Sequence, residues 1–407
     1  MNEIHSKPYA VDYLIVGAGV MGLAIARSLK KNQPAASILI VEKEERPGLH
    51  ATGRNSGVLH AGFYYSPDSL KAQFCREGNL MLRELCRLHS IEILETGKVV
   101  VAQTDEEIDR LDQLYARGQA NGVALELLSA PELENFEPLA VTKGKFLWSP
   151  NTAVASKSSI TKALISEITR LDIQIMYSAQ LKNFSENEVR VNERKIEFNH
   201  LINASGSGAL KIAKKYGFGT NYLMIPFLGV YRTLPQKKFN LRTLVYPVPH
   251  PKNPFLGTHF TITEDGLVKL GPTAIPVLFG EQYKLLNGWN FYDGINSVRG
   301  LMHFFSADPK NVLSLIKSET PKLNLSRLIK SGAAIAPSAS ESKGWKKKPA
   351  AIRAQLFDLN RGELEQDFVV QGDRSSTHLL NTVSPGWTSS LAFAEWIVQR
   401  VLSRSAN

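Results

Sequence analysis

The sequence predicts an α/β fold: a parallel-sheet domain interleaved along the chain with a second domain built on an antiparallel sheet. Three observations carry this expectation. The run Gly17-Ala18-Gly19-Val20-Met21-Gly22 follows the apolar stretch Tyr13-Leu14-Ile15-Val16 and opens a helical pattern. A second apolar stretch, Ile38-Leu39-Ile40-Val41, ends at Glu42, twenty residues past Gly22. Residues 225–280 are rich in proline, glycine and β-formers, as a twisted antiparallel sheet would be.

The first two observations together form a dinucleotide-binding fingerprint of the Rossmann type. Gly17 permits the tight strand-to-helix turn, Gly19 lets a pyrophosphate approach the backbone, and Gly22 allows close helix–strand packing. Val20 and Met21 begin the helix, whose free N–H groups and partial positive charge face the phosphates. The Glu42 carboxylate can accept both ribose hydroxyls and would repel a 2′-phosphate, which argues against NADP; Lys43 follows it at the same edge.

The remaining segments fit the same plan. Gly97 to Ala102 is β-like, Thr104 to Asn121 is a charged helix, and Ile160 to Leu171 is an amphipathic one. Short strands follow at Gln174–Tyr177, Glu188–Val191 and His200–Ala204, the last ending in Asn203-Ala204-Ser205-Gly206, where Ala204 and Gly206 face the nucleotide. Residues 296–330 are helical, broken by Pro309 and Pro321. Strands near 368–370 and 379–380 precede a loop at Ser384-Pro385-Gly386 and a final helix from about Ser389 to Leu402. The expected division gives 1–90, 150–220 and 345–407 to the nucleotide domain and 91–149 and 221–344 to the substrate domain.

Composition bounds the class. The chain has 407 residues, 43% hydrophobic and 21% charged, enough for a two-domain globular protein. Leu14 to Ala26, the longest candidate membrane run, is shorter than the roughly 20 residues a span needs and carries three glycines. Met1 to Ala10 has no apolar stretch for a signal peptide, so a cytoplasmic location is expected. Cys75 and Cys86 share a helix face but lie roughly 16 Å apart, too far for a disulfide. The net charge of +10 is scattered except at Lys343, Lys346, Lys347 and Lys348 beside Trp345. A solvated loop is the default reading there; the sharper one is peripheral contact with anionic lipid on the inner membrane face, Trp345 at the interface. No basic–aromatic or zinc-finger pattern points to nucleic acid, and nothing in the pattern specifies an oligomeric state.

Three features favour FAD over NAD. The chain carries one fingerprint, so no second nicotinamide domain is present. The loop Thr52-Gly53-Arg54-Asn55-Ser56-Gly57-Val58 is small and polar enough for a planar ring to lie against backbone. Pro385-Gly386-Trp387-Thr388-Ser389-Ser390 opens the last helix, whose N-terminus can stabilise a reduced flavin. The alternative for each loop is plain turn and cap chemistry, with Thr388 or Ser389 a good N-cap in any protein.

Long strings across the chain carry a family resemblance: Thr52 to Gly62, Tyr64-Tyr65, Ser69 to Ala72, Tyr246 to Pro249, Pro254 to Phe260, Leu270 to Pro272, Ile352 to Gln355, Asn381, and Ser384-Pro385 with Thr388 to Ser390. On these residues the chain resembles the FAD-dependent D-amino-acid-oxidase-like superfamily and, within it, L-2-hydroxyglutarate dehydrogenases and oxidases. The resemblance implies a flavin fold of the D-amino-acid-oxidase and glutathione-reductase type, oxidation of an L-2-hydroxy acid, and often a membrane electron acceptor. Three positions depart from the family pattern. An apolar stretch, Thr273 to Phe279, stands where asparagine and basic residues are expected; Leu380 replaces an arginine; Gly386-Trp387 replaces an alanine pair. If the missing cations serve the distal carboxylate, a related or larger hydroxy acid suits the pocket.

Alcohol oxidation moves a hydride from C2 to flavin N5, and the hydroxyl proton must also leave. A neutral histidine is the natural base. His259 is favoured, at the end of a β-run expected to roof the ring; His60, in the loop expected to touch it, positions substrate or flavin. Packing is the alternative for each. His60 also matches a flavin-linking histidine in dimethylglycine-dehydrogenase-like relatives, although a noncovalent flavin is expected here. Arg353 is the expected carboxylate clamp through its planar fork, with an ion pair to Asp358 as the alternative. Tyr64 and Lys71 are second-line substrate contacts, Lys71 alternatively a solvated helix residue. Tyr246 and Thr273 line the pocket or pack the sheet. The expected activity is oxidation of an L-2-hydroxy acid to the 2-oxo acid with electrons passed to quinone or oxygen. The rivals are an amine or amino-acid oxidase on the same fold and a nonenzymatic flavin redox sensor.

Overall fold

The computed structural model describes residues 9–250, 255–278, 281, 283 and 291–406. Most of the N-terminal stretch read above for a signal peptide, together with Pro254 and Phe279, lies outside the described residues.

The elements that position the site run in chain order as strand β1 (Tyr9–Val16), helix α1 (Val20–Asn32), strand β2 (Ile38–Val41), helix α2 (Leu70–Leu88), strand β3 (Lys98–Val101), strand β4 (Gln174–Met176), strand β5 (Arg194–Asn203), strand β6 (Tyr222–Gly229), strand β7 (Leu244–Pro247), strand β8 (His259–Ile262), strand β9 (Leu267–Gly271), strand β10 (Ala351–Asp358), strand β11 (Ser376–Leu379) and helix α3 (Gly386–Ala406). Their first sheet has the parallel core β11-β5-β1-β2-β4. β2 is buried at all four positions, which is why Ile38-Leu39-Ile40-Val41 reads as an unbroken apolar run. α1 follows β1 through the glycine turn and packs with α3 and the helix Lys157–Arg170 over one face.

The expected antiparallel region resolves into two sheets. One has eight strands and places β9, β8, β7 and β3 side by side, antiparallel except for the β7–β3 pair. The other has four and is centred on the β6–β10 pair. Lys346–Lys347 and β10 hydrogen-bond into these two sheets, so the stretch 346–358, assigned from sequence to the nucleotide domain, lies in the antiparallel part.

Three local expectations change. α3 begins at Gly386 rather than Ser389, which puts Thr388 and Ser389 inside its first turn instead of at the cap. Trp345 is 8% exposed and packs near Phe239 and Phe260, so it is not free to sit at a membrane interface. Its neighbours Lys346 and Lys347 form an exposed edge strand, where charge discourages sheet extension. Both cysteines are buried and unbridged. Among the described residues no helix is long and apolar enough to cross a membrane.

Candidate active site

A cleft of about 910 Å³ runs from the glycine turn to Arg353. At one end, Gly17 holds φ at +102°, and a Cβ there would stand 2.8 Å from the Ala204 carbonyl oxygen. A Cβ on Gly22 would meet the Gly17 oxygen at 1.9 Å, so both glycines are sterically required. α1 starts at Val20 with no side-chain cap on Gly19, leaving donors at a positive helix end beside the cleft. Thr52 Oγ1 accepts from the Val20 N–H at 3.0 Å and fixes the following loop against this turn. Glu42 accepts from Ala18 N–H at 2.8 Å and from Glu44 N–H at 3.0 Å while bordering the cleft. Its carboxylate is therefore oriented by backbone and keeps lone pairs for ribose hydroxyls.

Of the other expected cofactor residues, Gly19, Val20, Met21, Lys43, Thr52, Asn55, Ser56, Val58, Ala204, Gly206, Pro385 and Gly386 line the cleft. Gly22, Arg54, Gly57, Thr388 and Ser389 do not. Arg54 spends its fork on the Leu49 and Ala350 carbonyls and lies over the Tyr283 ring. Gly57 (φ +76°) leaves no room for a Cβ against the Ala155 carbonyl, 2.7 Å away. Thr388 donates to the Val58 carbonyl at 3.0 Å and accepts from His60 N–H at 3.2 Å, tying the His60 loop to α3. Two helix N-termini, an oriented acid and a long cleft between them suit FAD.

At the other end, His60 lines the cleft. Burial first, then Lys98 and Arg353, pull its imidazole down to about 3, so it is neutral. His259 is buried on β8 behind the lining residues and stacks on Tyr246 of β7. Its Nδ1 donates to the Gly257 carbonyl at 2.8 Å, which fixes the tautomer with the lone pair on Nε2. Burial also holds His259 well below 6.5, with Arg353, His60 and Lys98 adding to the effect.

Arg353, on β10, lines the cleft with its guanidinium 5.4 Å from the Phe255 ring, and its charge opposes the upward push of burial on the Tyr231 phenol. Asp358 pairs with Arg361 instead, and among the described residues no carboxylate lies within ion-pair distance of Arg353. Lys71 is buried, not solvated: burial lowers it to about 8 against the pull of Asp367 and Glu365. Tyr64 is buried with its hydroxyl unpartnered among the described residues. Thr273 is a correction: its hydroxyl accepts from Val230 N–H and donates to the Leu228 carbonyl, so it secures strands rather than lining the cleft. Sequence reasoning missed Tyr231, which lines the cleft with Arg353, and Lys98, whose charge reaches both histidines; neither lies in a motif.

Comparison with known proteins agrees with this geometry. The model of the family "DAO: FAD dependent oxidoreductase" matches residues 12–400. L-2-hydroxyglutarate dehydrogenase of Escherichia coli K12 is 33% identical over 398 residues, covering 96% of this chain and 93% of that protein. The mitochondrial L-2-hydroxyglutarate dehydrogenase of Caenorhabditis elegans is 32% identical, covering 97% and 93%. Among solved structures, FAD-bound L-α-glycerophosphate oxidase from Mycoplasma pneumoniae superposes with a TM-score of 0.74 at 21% identity, over 97% of this chain and 95% of that one. Glycine oxidase from Geobacillus kaustophilus gives 0.72 at 17%, over 97% and 95%; both likenesses are of fold. With the glycine turn, the acid at Glu42 and the match along nearly the whole chain in agreement, this protein belongs to the DAO family of FAD-dependent oxidoreductases.

Proposed function

We propose that this protein oxidises an L-2-hydroxy acid, L-2-hydroxyglutarate or a related acid, to the 2-oxo acid. The observation that carries the reading is the meeting of Arg353, a guanidinium with no carboxylate partner among the described residues, with two imidazoles held neutral by burial. The activity in the names of the relatives supports it.

Bound FAD supplies a hydride acceptor at ring N5. Arg353 receives the substrate carboxylate in a two-point fork. His259 is the base for a substrate whose hydroxyl reaches past the cleft wall, its Nε2 lone pair left open by the tautomer and its ring fixed by Gly257 and Tyr246. His60 meets the substrate from the cleft wall, with Tyr64 and Lys71 beyond it. The flavin is noncovalent in this reading, residues 1–90 and 150–220 and the chain from β11 onward hold it, and quinone or oxygen takes the electrons. Membrane contact for a quinone acceptor rests on Lys346 and Lys347, both exposed.

The test is anaerobic bleaching of the purified yellow protein by a panel of L- and D-2-hydroxy acids, amines and amino acids. L-2-hydroxy acids should bleach it, and acid precipitation should release the flavin. Bleaching by amines alone would end the reading. Quinone analogues and oxygen, offered to the reduced protein, identify the acceptor. Sedimentation with anionic vesicles, lost in K346E/K347E, tests the membrane contact.

A further inference from the structure

Arg353 and the histidines leave Lys98 without a role. Lys98 is on β3 and is fully buried, and its Nζ has no hydrogen-bond partner among the described residues. The rings of Phe63, Tyr64 and Tyr246 surround that nitrogen at 4.6, 4.5 and 4.9 Å. Aromatic faces attract an ammonium but do not replace its lost hydrogen bonds. Burial brings Lys98 down to about 7, with Cys75 opposing the shift. Two further buried polar atoms in this neighbourhood lack partners: the Tyr64 hydroxyl and His60 Nδ1.

The surroundings therefore hold polar atoms in want of partners, of which the Lys98 ammonium and the Tyr64 hydroxyl can donate. β3, β7 and β8 lie side by side, which brings Lys98, Tyr246 and His259 together. The charges of Lys98 and Arg353 each disfavour protonation of both His60 and His259, so both cations lie near the histidine pair. A substrate with an anionic group at each end of a short chain, oxidised at the carbon between them, matches that arrangement.

We propose that Lys98 and the Tyr64 hydroxyl bind the second carboxylate of a dicarboxylic 2-hydroxy acid and so form the specificity-determining subsite. This rests on the 2-hydroxy-acid reading above. It supplies, from a different strand, the cation missing at Leu380 and along Thr273 to Phe279. Binding there satisfies the ammonium and removes the cost of leaving it unpaired.

The test compares L-2-hydroxyglutarate with L-2-hydroxypentanoate, which has the same chain length but lacks the second carboxylate. The wild-type holoenzyme should prefer the dicarboxylate in anaerobic flavin reduction, and Lys98→Met should shrink that preference about 100-fold. Tyr64→Phe should shrink it less, in the same direction, and also serves if K98M does not fold. An independent readout is the affinity ratio of the inert acids glutarate and pentanoate, followed through the flavin absorbance; it should collapse in parallel. A preference and affinity ratio within threefold of wild type in both variants would overturn the subsite while leaving the parent reading intact. A wild-type flavin reduced by no 2-hydroxy acid would overturn both.

Discussion

Tyr246 and His259 stack with ring centroids 3.8 Å apart and planes 17° from parallel. The stack and the Gly257 carbonyl hold the imidazole from two directions, as a general base requires. His259→Ala should lower the rate of anaerobic flavin reduction about 100-fold with flavin content unchanged. Tyr246→Leu, which removes the stack but keeps the base, should cost less in the same assay. A wild-type rate in H259A, with the loss appearing in His60→Ala, would move the base to the cleft wall.

Burial, not a charge partner, governs both imidazoles, and this sets the pH behaviour. A free histidine loses its accepting form near pH 6.5. His259 is held well below that and His60 at about 3, so the neutral forms persist in acid. kcat/KM should therefore show no fall near 6.5 as the pH drops from 7.5 to about 5.5. Stability follows the opposite logic. The unfolded chain takes up protons on these residues near pH 6.5 while the folded one does not, so the stability present above 6.5 should be lost progressively toward pH 3. Chemical denaturation across that range, with His60→Gln less acid-sensitive than wild type, checks the sign.

What the sequence made legible was local. Gly17, Gly22 and Glu42 announce themselves because one turn and one strand end fix their jobs within a single βαβ unit. Lys98 and Tyr231 could not be found that way. Lys98 acquires its cage only when β3 pairs with β7, nearly 150 positions further along, and no spacing encodes that pairing. For Lys71, the alternative of a solvated helix residue is the reading that fails. The Asp367 carboxylate, bound to the N–H groups of Leu70 and Lys71, pins the start of α2 against the C-terminal segment and carries the side chain inside. The lipid reading of Trp345 fails because its ring packs with Phe239 and Phe260, contacts that the local run of lysines does not encode.

Arg353→Lys separates binding from chemistry. Lysine keeps the charge but cannot make two parallel bonds to a carboxylate or retain the guanidinium's planar contact beside Phe255. The dissociation constant for the hydroxy acid should rise about 10- to 100-fold, while the limiting reduction rate changes far less. Stopped-flow titration of the flavin against substrate concentration yields both quantities. Unchanged affinity would remove Arg353 as the clamp.

Gly78→Ala tests how α3 is held against the site. A Cβ at position 78 of α2 would stand 2.2 Å from the Thr388 carbonyl oxygen and 2.9 Å from Ser389 Cα, both backbone atoms of α3 that cannot swing aside. The helices must separate, and the separation pulls on the Thr388 hydroxyl that joins Val58 to His60. Overpacking of this kind costs about 1–3 kcal/mol. The variant should melt at a lower temperature and release flavin earlier in the same scan, because the N-terminus of α3 borders the cleft. Melting and flavin release at the wild-type temperature would mean that α2 and α3 have slack at this contact and that the His60 loop is positioned by other means.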